Sequence, residues 1–227
     1  MTHAMFPLRS HVGDCRRMST THRFNRPGRR HTIAALALGV MVFVAACGDS
    51  VVAPAGIVRD PAPDVSAIVL PDGSAGGAPF ATSADPGELL LVYFGFTACP
   101  DVCPTTLADV RSALRLMNDE DAARVDLAMV TVDPGRDDAE RLTAYVQSFF
   151  PGAHALRTDD PAQLQAAADA YGASYSVTTD TEGNVEVEHS AFLYAVDSEG
   201  RLRLSWPFGT KRDDIRNDLK YLFDEGV

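Results

Sequence analysis

Residues 89–107 of the chain read LLLVYFGFTACPDVCPTTL, and this stretch decides the fold. Residues 89–96 form an unbroken apolar and aromatic run, which is typical of a strand covered on both faces of a sheet. Residues 105–117 then place apolar side chains at helical spacing after Pro104, a residue suited to the first turn of a helix. The stretch therefore predicts a buried strand that leads through a short loop into a helix.

The alternation of strand and helix signals continues to the end of the chain. The predicted elements are a strand over 125–132, a helix over 138–149, a short strand over 154–157, a helix over 161–171, an extended hairpin over 174–187 that turns at 182–184, a second hairpin over 191–196 and 202–206, and a helix over 212–223. This order predicts an α/β protein with a thioredoxin-like fold, in which a central mixed sheet is flanked by helices and carries an extended hairpin insertion.

Charge divides the 227 residues into two unlike parts. Residues 1–46 contain seven arginines and one acidic residue, whereas the rest of the chain contains thirteen basic and thirty acidic residues, a net charge of −17. An acidic body of this kind repels phosphate backbones, which excludes nucleic acid as a partner. A cationic protein or a metal ion is a more natural partner.

The N-terminal part resembles a targeting segment. Four arginines between residues 23 and 30 precede fourteen uncharged residues, 33–46, and Cys47 follows at once. A helix of that length rises about 21 Å, which is too short for the ~30 Å hydrocarbon core. The pattern predicts a lipoprotein signal peptide over residues 1–46 that is cleaved before a lipidated Cys47, and the alternative is an uncleaved apolar anchor. Either reading places the body on the extracytoplasmic face of the bacterial cytoplasmic membrane, whether translation starts at Met1 or at Met18.

Residues 47–66 are rich in proline and small residues and show no sustained period. They are predicted to form a flexible linker that attaches the body, residues 67–227, to the lipid anchor. About twenty such residues have a typical reach of about 25 Å. The body can therefore meet a membrane-embedded partner without being embedded itself.

The body contains two cysteines, Cys99 and Cys103. Of the other two, Cys15 belongs to the predicted signal peptide and Cys47 is the predicted lipidation site. They lie between the carboxyl end of the first long strand and a helix N-terminus, where α/β sheets place their sites. The helix N-terminus favours thiolate over thiol, so both sulfurs are expected to be more reactive than a free cysteine. The spacing permits a shared ligand or a disulfide, and an inert disulfide staple is the structural alternative.

The segment YFGFTACPDVCPTTL resembles the signature of the SCO/SenC family of copper-binding, thioredoxin-like proteins. The resemblance continues through VTVDPGRDDAERLTAYVQSF and VEHSAFLYAVDSEGRL to the terminal helix. It implies that Cys99, Cys103 and His189 ligate copper and that residues 67–227 form a thioredoxin-like copper-binding domain. Ala98 departs from the family pattern, in which a polar residue or a histidine often precedes the first cysteine.

The same resemblance implies a membrane-anchored copper chaperone that assembles the CuA centre in subunit II of cytochrome c oxidase and receives its metal from an upstream copper donor. The chemistry of the residues agrees with that role. Two thiolates favour Cu(I), and an imidazole accepts both Cu(I) and Cu(II). Zinc can use the same ligands, but a structural zinc site normally has four. Three protein ligands leave the metal open to an incoming ligand, which suits delivery.

An alternative function is that of a thiol-disulfide oxidoreductase that keeps the CuA cysteines or other extracytoplasmic thiols reduced, so enzyme activity is left undecided. A third hypothesis is that the protein acts as a copper sensor. A generic thioredoxin is disfavoured by the absence of proline between residues 162 and 206, and a peroxiredoxin by Val92 and Phe96 at the places of its proline and threonine.

Several further candidates are predicted to be structural. An isolated histidine, two turn acids and two methionines on apolar patterns form this group: His154, Asp101, Asp133, Met117 and Met129.

Overall fold

The structure, a computed structural model, describes residues 53–226. The strands in chain order are β1 (Ile57–Val58), β2 (Val69–Asp72), β3 (Ala78–Ala81), β4 (Leu89–Gly95), β5 (Val125–Thr131), β6 (His154–Leu156), β7 (Tyr175–Thr179), β8 (Val185–His189), β9 (Phe192–Val196) and β10 (Leu202–Pro207). The helices are α1 (Val102–Leu114), α2 (Asp119–Ala122), α3 (Ala139–Phe149), α4 (Pro161–Tyr171) and α5 (Arg212–Asp224), and a 3-10 turn covers Gly73–Ala75.

Eight strands form one mixed sheet in the order β1-β10-β9-β4-β5-β6-β2-β3, and β7 and β8 form a separate two-stranded ribbon. The central strands β4, β5 and β6 are parallel, and β9 lies antiparallel to β4. Every residue of β4 is buried, as expected for a strand covered on both faces. The mixed sheet with flanking helices confirms the predicted thioredoxin-like α/β fold.

Successive side chains of β4 point to opposite faces of the sheet and meet different helices. On one face, Phe94 makes edge contacts with Tyr171 of α4 and with Tyr194 of β9. On the other face, Gly95 lies against Tyr93 and against Cys103 of α1. The cysteine segment is therefore fixed directly onto the central strand.

The end of β10 lies at the same end of the sheet as the carboxyl end of β4. Strand β9 runs antiparallel to β4, with Leu193 opposite Tyr93. Strand β10 reverses again, with Pro207 opposite Phe192. The loop that follows β10 therefore lies at the same end of the sheet as the cysteine loop.

The structure corrects the predicted linker at its C-terminal part. Residues 57–58 form β1 and pair with β10, and Val65 is fully buried. The buried carboxylate of Asp218 accepts hydrogen bonds from the backbone N–H groups of Ala55, at 3.0 Å, and Gly56, at 2.8 Å. The ordered body therefore begins well before residue 67.

Element boundaries agree closely elsewhere. Helix α4 has the predicted bounds, and the β7–β8 hairpin turns over residues 180–184, around the predicted turn. Helix α1 begins at Val102, three residues earlier than predicted, so Cys103 belongs to its first turn. The β2–β3 hairpin was not predicted from the sequence.

The predicted signal peptide and the lipidation site Cys47 lie outside the described residues. Within residues 53–226, no helix has the length and apolar character that a membrane crossing requires.

Candidate metal centre

The loop after β4 carries Cys99 and delivers the chain into α1. The N–H of Cys99 donates to the carbonyl of Phe96, 3.3 Å away, which closes a turn. The N–H of Cys103, in the first turn of α1, donates to the Sγ atom of Cys99 at 3.3 Å. A free amide at the helix N-terminus thus fixes the first sulfur beside the second cysteine.

The ring of His189, at the end of β8, completes the cluster. Its Nε2 atom lies 3.6 Å from Sγ of Cys103, although 86 positions separate the two residues in sequence. Each pair among the two sulfurs and the ring nitrogen lies within 4.8 Å. Within the part of the chain that the structure describes, this is the only group of three such side chains that can hold a metal ion. The structure therefore brings all three predicted ligands together.

Hydrogen bonding and packing orient the His189 ring. Its Nδ1 atom lies 3.2 Å from the carbonyl oxygen of Ser190, which can only accept, so the ring proton belongs on Nδ1. The lone pair of Nε2 then faces the sulfurs, which is the tautomer that a metal ligand needs. Tyr93 and Phe96 make edge contacts with the ring at centroid distances of 6.1 and 5.8 Å.

Burial sets the protonation of this cluster. It lowers the pKa of His189, against the effect of the hydrogen bond to Ser190, so the ring is neutral at pH 7. Burial also raises the pKa of the Cys103 thiol to about 12. The prediction that the helix terminus makes both sulfurs more reactive is therefore wrong for Cys103, since loss of hydration outweighs the helix dipole. A bound cation reverses that balance, because a coordinating thiol loses its proton.

Gly95 gives the second sulfur its place against the sheet. A Cβ atom at this position would lie 3.0 Å from Sγ of Cys103, 2.8 Å from the ring of Tyr93 and 3.1 Å from the side chain of Met129. Such distances are shorter than ordinary van der Waals contact, so a larger residue would displace the sulfur. Both cysteines are free thiols, Cys103 buried and Cys99 partly buried.

The donor set fits copper. Two sulfurs and one imidazole nitrogen are soft to intermediate donors. Copper prefers such donors, whereas magnesium and calcium prefer oxygen ligands. Cys103 is buried in the domain, while Cys99 and His189 are partly exposed. An ion held by only three protein ligands would keep a coordination position open.

The other candidates have structural roles, as predicted. His154 lies between two carboxylates, with Nδ1 2.7 Å from Asp72 and Nε2 3.0 Å from Asp126. Asp133 pairs with Arg136.

The remaining candidates behave likewise. Asp101 accepts a hydrogen bond from Thr105 at 3.3 Å. Met129 is fully buried and Met117 packs against the core.

Two buried acids near this end of the sheet escaped the sequence reading. Asp137 has no exposed surface and accepts hydrogen bonds from Thr97, two residues before Cys99. Asp218 accepts from the indole N–H of Trp206 at 2.8 Å as well as from the N-terminal segment. An acidic residue that is flanked by polar residues in the sequence is expected to be exposed to solvent. The burial of Asp137 and Asp218 is therefore evident only from the contacts in the folded protein.

Comparison with known proteins identifies a matching family and several relatives of this chain. Residues 74–224 match the family described as SCO1/SenC. A putative copper-binding protein of Stutzerimonas stutzeri is 35% identical over 146 residues, which are 64% of this chain and 71% of that protein. An SCO2-like protein of Rickettsia prowazekii is 35% identical over 119 residues, which are 51% of this chain and only 56% of that protein.

A solved structure supports the same relationship. ScoI of Bradyrhizobium japonicum, solved with copper bound, superimposes with a TM-score of 0.58 at 30% sequence identity, over 68% of this chain and 96% of that one. The family match over residues 74–224 includes the segments that carry both cysteines and the histidine.

Proposed function

Because this chain belongs to the SCO1/SenC family, we propose that it carries a copper ion on Cys99, Cys103 and His189 and delivers it to the CuA centre in subunit II of cytochrome c oxidase. The single observation that carries the proposal is the convergence of two sulfurs and a correctly oriented imidazole nitrogen within 4.8 Å. Copper is the cargo of this site. It is not a resident cofactor.

The ligand set supports transfer in both directions. The thiolates stabilise Cu(I), and the imidazole remains a good ligand if the ion is oxidised to Cu(II). Only three side chains hold the ion, so a thiolate or imidazole of a partner can join the coordination sphere before the first ligand leaves. Ligand exchange of this kind can load the site from an upstream copper donor and unload it to the target.

The location of the protein forms part of the proposal. A lipid on Cys47 would hold the body at the extracytoplasmic face of the cytoplasmic membrane, and a second acyl chain would make that attachment stable. The net charge of −17 beyond residue 46 favours a target with a basic docking surface.

A thiol-disulfide oxidoreductase is the second candidate function. It is favoured by the position of Cys99 Sγ against the N–H of Cys103, which brings the two sulfurs within 4.8 Å of each other. Oxidation of this pair would release two electrons and two protons, which reduce one disulfide of a partner to two thiols. The high pKa of Cys103 makes Cys99 the more available nucleophile.

Copper titration of the purified, reduced full chain tests the first function. We expect one equivalent of copper and, with Cu(II), a thiolate-to-copper charge-transfer band. His189→Ala should abolish the band, whereas His154→Ala, the matched control for loss of an imidazole, should retain it. Unchanged copper binding by His189→Ala would contradict the three-ligand site.

A genetic test separates the two functions. Cells that lack the gene should lose assembled CuA centres, and excess copper should restore them if the protein supplies metal. Restoration by a membrane-permeant dithiol, with no effect of copper, would favour the oxidoreductase.

A further inference from the structure

The carboxylate of Asp137 is fully buried and has no cationic partner. Within residues 53–226, none of the ion pairs of the structure involves it. Its partners are neutral groups: the N–H of Thr97 at 3.0 Å, the hydroxyl of Thr97 at 2.5 Å and the hydroxyl of Thr131 at 2.6 Å. A buried carboxyl group is costly unless it is hydrogen-bonded, so these three hydrogen bonds compensate for its burial.

The hydrogen bonds of Asp137 act on the segment that carries the first copper ligand. Thr97 lies between Gly95, the last residue of β4, and Cys99. Asp137 holds both the backbone and the side chain of Thr97, and through Thr131 it ties that point to the end of β5. The path of the chain from the sheet to Cys99 is thereby fixed.

The segment that carries Asp137 is itself braced. The guanidinium of Arg157 donates to the carbonyl of Asp137 at 2.8 Å and to the carbonyl of Pro134 at 3.0 Å. Such a double contact holds residues 134–137 against the end of β6. The carboxylate is consequently presented from a rigid support.

The same segment reaches the histidine side of the site. The guanidinium carbon of Arg136 lies 5.9 Å from the centre of the Phe96 ring. The Phe96 ring makes the edge contact with His189 described above. Residues 134–137 therefore contact the supports of two of the three ligands.

We infer that Asp137 is a positioning residue of the copper site, which holds the Cys99 segment in the geometry that binds the ion. The inference rests on the proposed copper function. A preformed site loses less conformational entropy when the ion binds, so removal of a group that orients a ligand typically lowers metal affinity about 10- to 100-fold. Because the role of Asp137 is geometric, a neutral side chain that makes the same hydrogen bonds should serve the site equally well.

Three substitutions in the full chain test this inference. Asp137→Ala removes all three hydrogen bonds. Asp137→Asn replaces the carboxyl group with an amide but keeps the geometry, since the amide oxygen can accept from the Thr97 N–H and the amide NH₂ can donate to the Thr97 hydroxyl. Asp138→Ala is the matched control, because Asp138 is exposed and its side chain caps α3 by accepting from the N–H of Arg141.

Copper affinity, the charge-transfer band and amide exchange of the copper-free protein are the readouts. We expect Asp137→Ala to raise the copper dissociation constant about 10- to 100-fold, to shift the band and to speed exchange of the Thr97 amide. Asp137→Asn and Asp138→Ala should keep the wild-type band. An Asp137→Ala protein with wild-type affinity and band would overturn the inference, as would an Asp137→Asn protein that behaves like Asp137→Ala.

A second pair of variants applies if Asp137→Ala does not fold. Thr97→Val removes only the hydroxyl contact, and Thr97→Ser restores it. We expect weaker copper binding by Thr97→Val and recovery by Thr97→Ser, and equal affinities of the two would contradict the positioning role. The exchange measurement needs no copper. Absence of copper binding by the wild type would therefore refute the proposed function separately.

Discussion

The structure contains two partly buried histidines whose surroundings differ in every respect that matters for metal binding. His189 presents a bare Nε2 atom to the sulfur of Cys103, and burial lowers its pKa. His154 has a carboxylate at each nitrogen, and its hydrogen bond to Asp126 is the main cause of its raised pKa. A histidine that is to bind a metal needs one nitrogen left without a proton and facing other donors. His154 instead has a carboxylate partner at both nitrogens and joins β2, β5 and β6.

The largest effect is expected from substitution of Cys103, whose sulfur faces His189. Replacing Cys103 with Ser substitutes a weak, hard oxygen ligand for a thiolate. We expect copper affinity to fall by more than the roughly 100-fold that loss of an orienting partner costs. Isothermal titration with a competing chelator measures this fall. His154→Ala should leave the affinity unchanged, and a similar loss in both variants would contradict the distinction between the two histidines.

The packing behind that sulfur gives a second prediction. Gly95→Ala would place a methyl group 3.0 Å from Sγ of Cys103, so we expect a loss of about 1–3 kcal/mol in the free energy of unfolding. Copper binding should weaken as well, because the sulfur is displaced. Gly135→Ala, at a site where a Cβ atom meets no neighbour within 4 Å, is the control. Equal stability of the two variants in urea denaturation would show that the close approach is unimportant.

A third prediction concerns the stability that His154 provides. His154→Ala leaves the carboxylate of Asp72, only 2% exposed, without one of its partners. We expect a loss of about 1–2 kcal/mol in the free energy of unfolding, the usual consequence of an incompletely satisfied buried group. Urea denaturation of the copper-free protein measures it. An unchanged midpoint would mean that the histidine contributes nothing to the β2–β6 junction.

The smallest effect is a difference in pH dependence. The folded pKa of His154 is raised, so its stabilisation is complete below the unfolded value of 6.5 and is lost as the pH rises through the folded pKa. The folded pKa of His189 is lowered, so the protein loses stability as the pH falls below 6.5. Each slope is at most about 1.4 kcal/mol per pH unit.

Denaturation of the two alanine variants between pH 5 and pH 8 (roughly one and a half units either side of the unfolded pKa) separates these contributions. His154→Ala should lose the fall in stability on the alkaline side. His189→Ala should lose the fall on the acid side. Identical pH profiles of the two variants would contradict the opposite protonation of the two rings.

Local sequence patterns predicted the core of the fold well and its periphery poorly. Apolar runs and helical spacing located β4, β5 and α4 because burial on a sheet or a helix face leaves a period in the sequence. Strands β1, β2 and β3 have two to four residues and lie among prolines and glycines, so they carry no such period. They form because tertiary partners satisfy their backbone.

The site was predictable to different degrees for its different members. The strand-to-helix junction located Cys99 and Cys103 from the residues alone. His189 required the family resemblance, since only folding brings it across 86 residues to the sulfurs. The raised pKa of Cys103 and the bonds of Asp137 depend on burial, which side-chain type does not reveal.

If Cys47 carries a lipid as proposed, the contact of Asp218 with the amides of Ala55 and Gly56 shortens the flexible tether between the lipid and the body. Eight residue steps separate Cys47 from Ala55, which gives a typical reach of about 16 Å, against about 25 Å for twenty residues. Those amides sit beside Trp206, at the pole of the sheet where the cysteines also lie. A body tethered at this end of the sheet would hold the proposed copper site close to the bilayer, within reach of a membrane-bound acceptor.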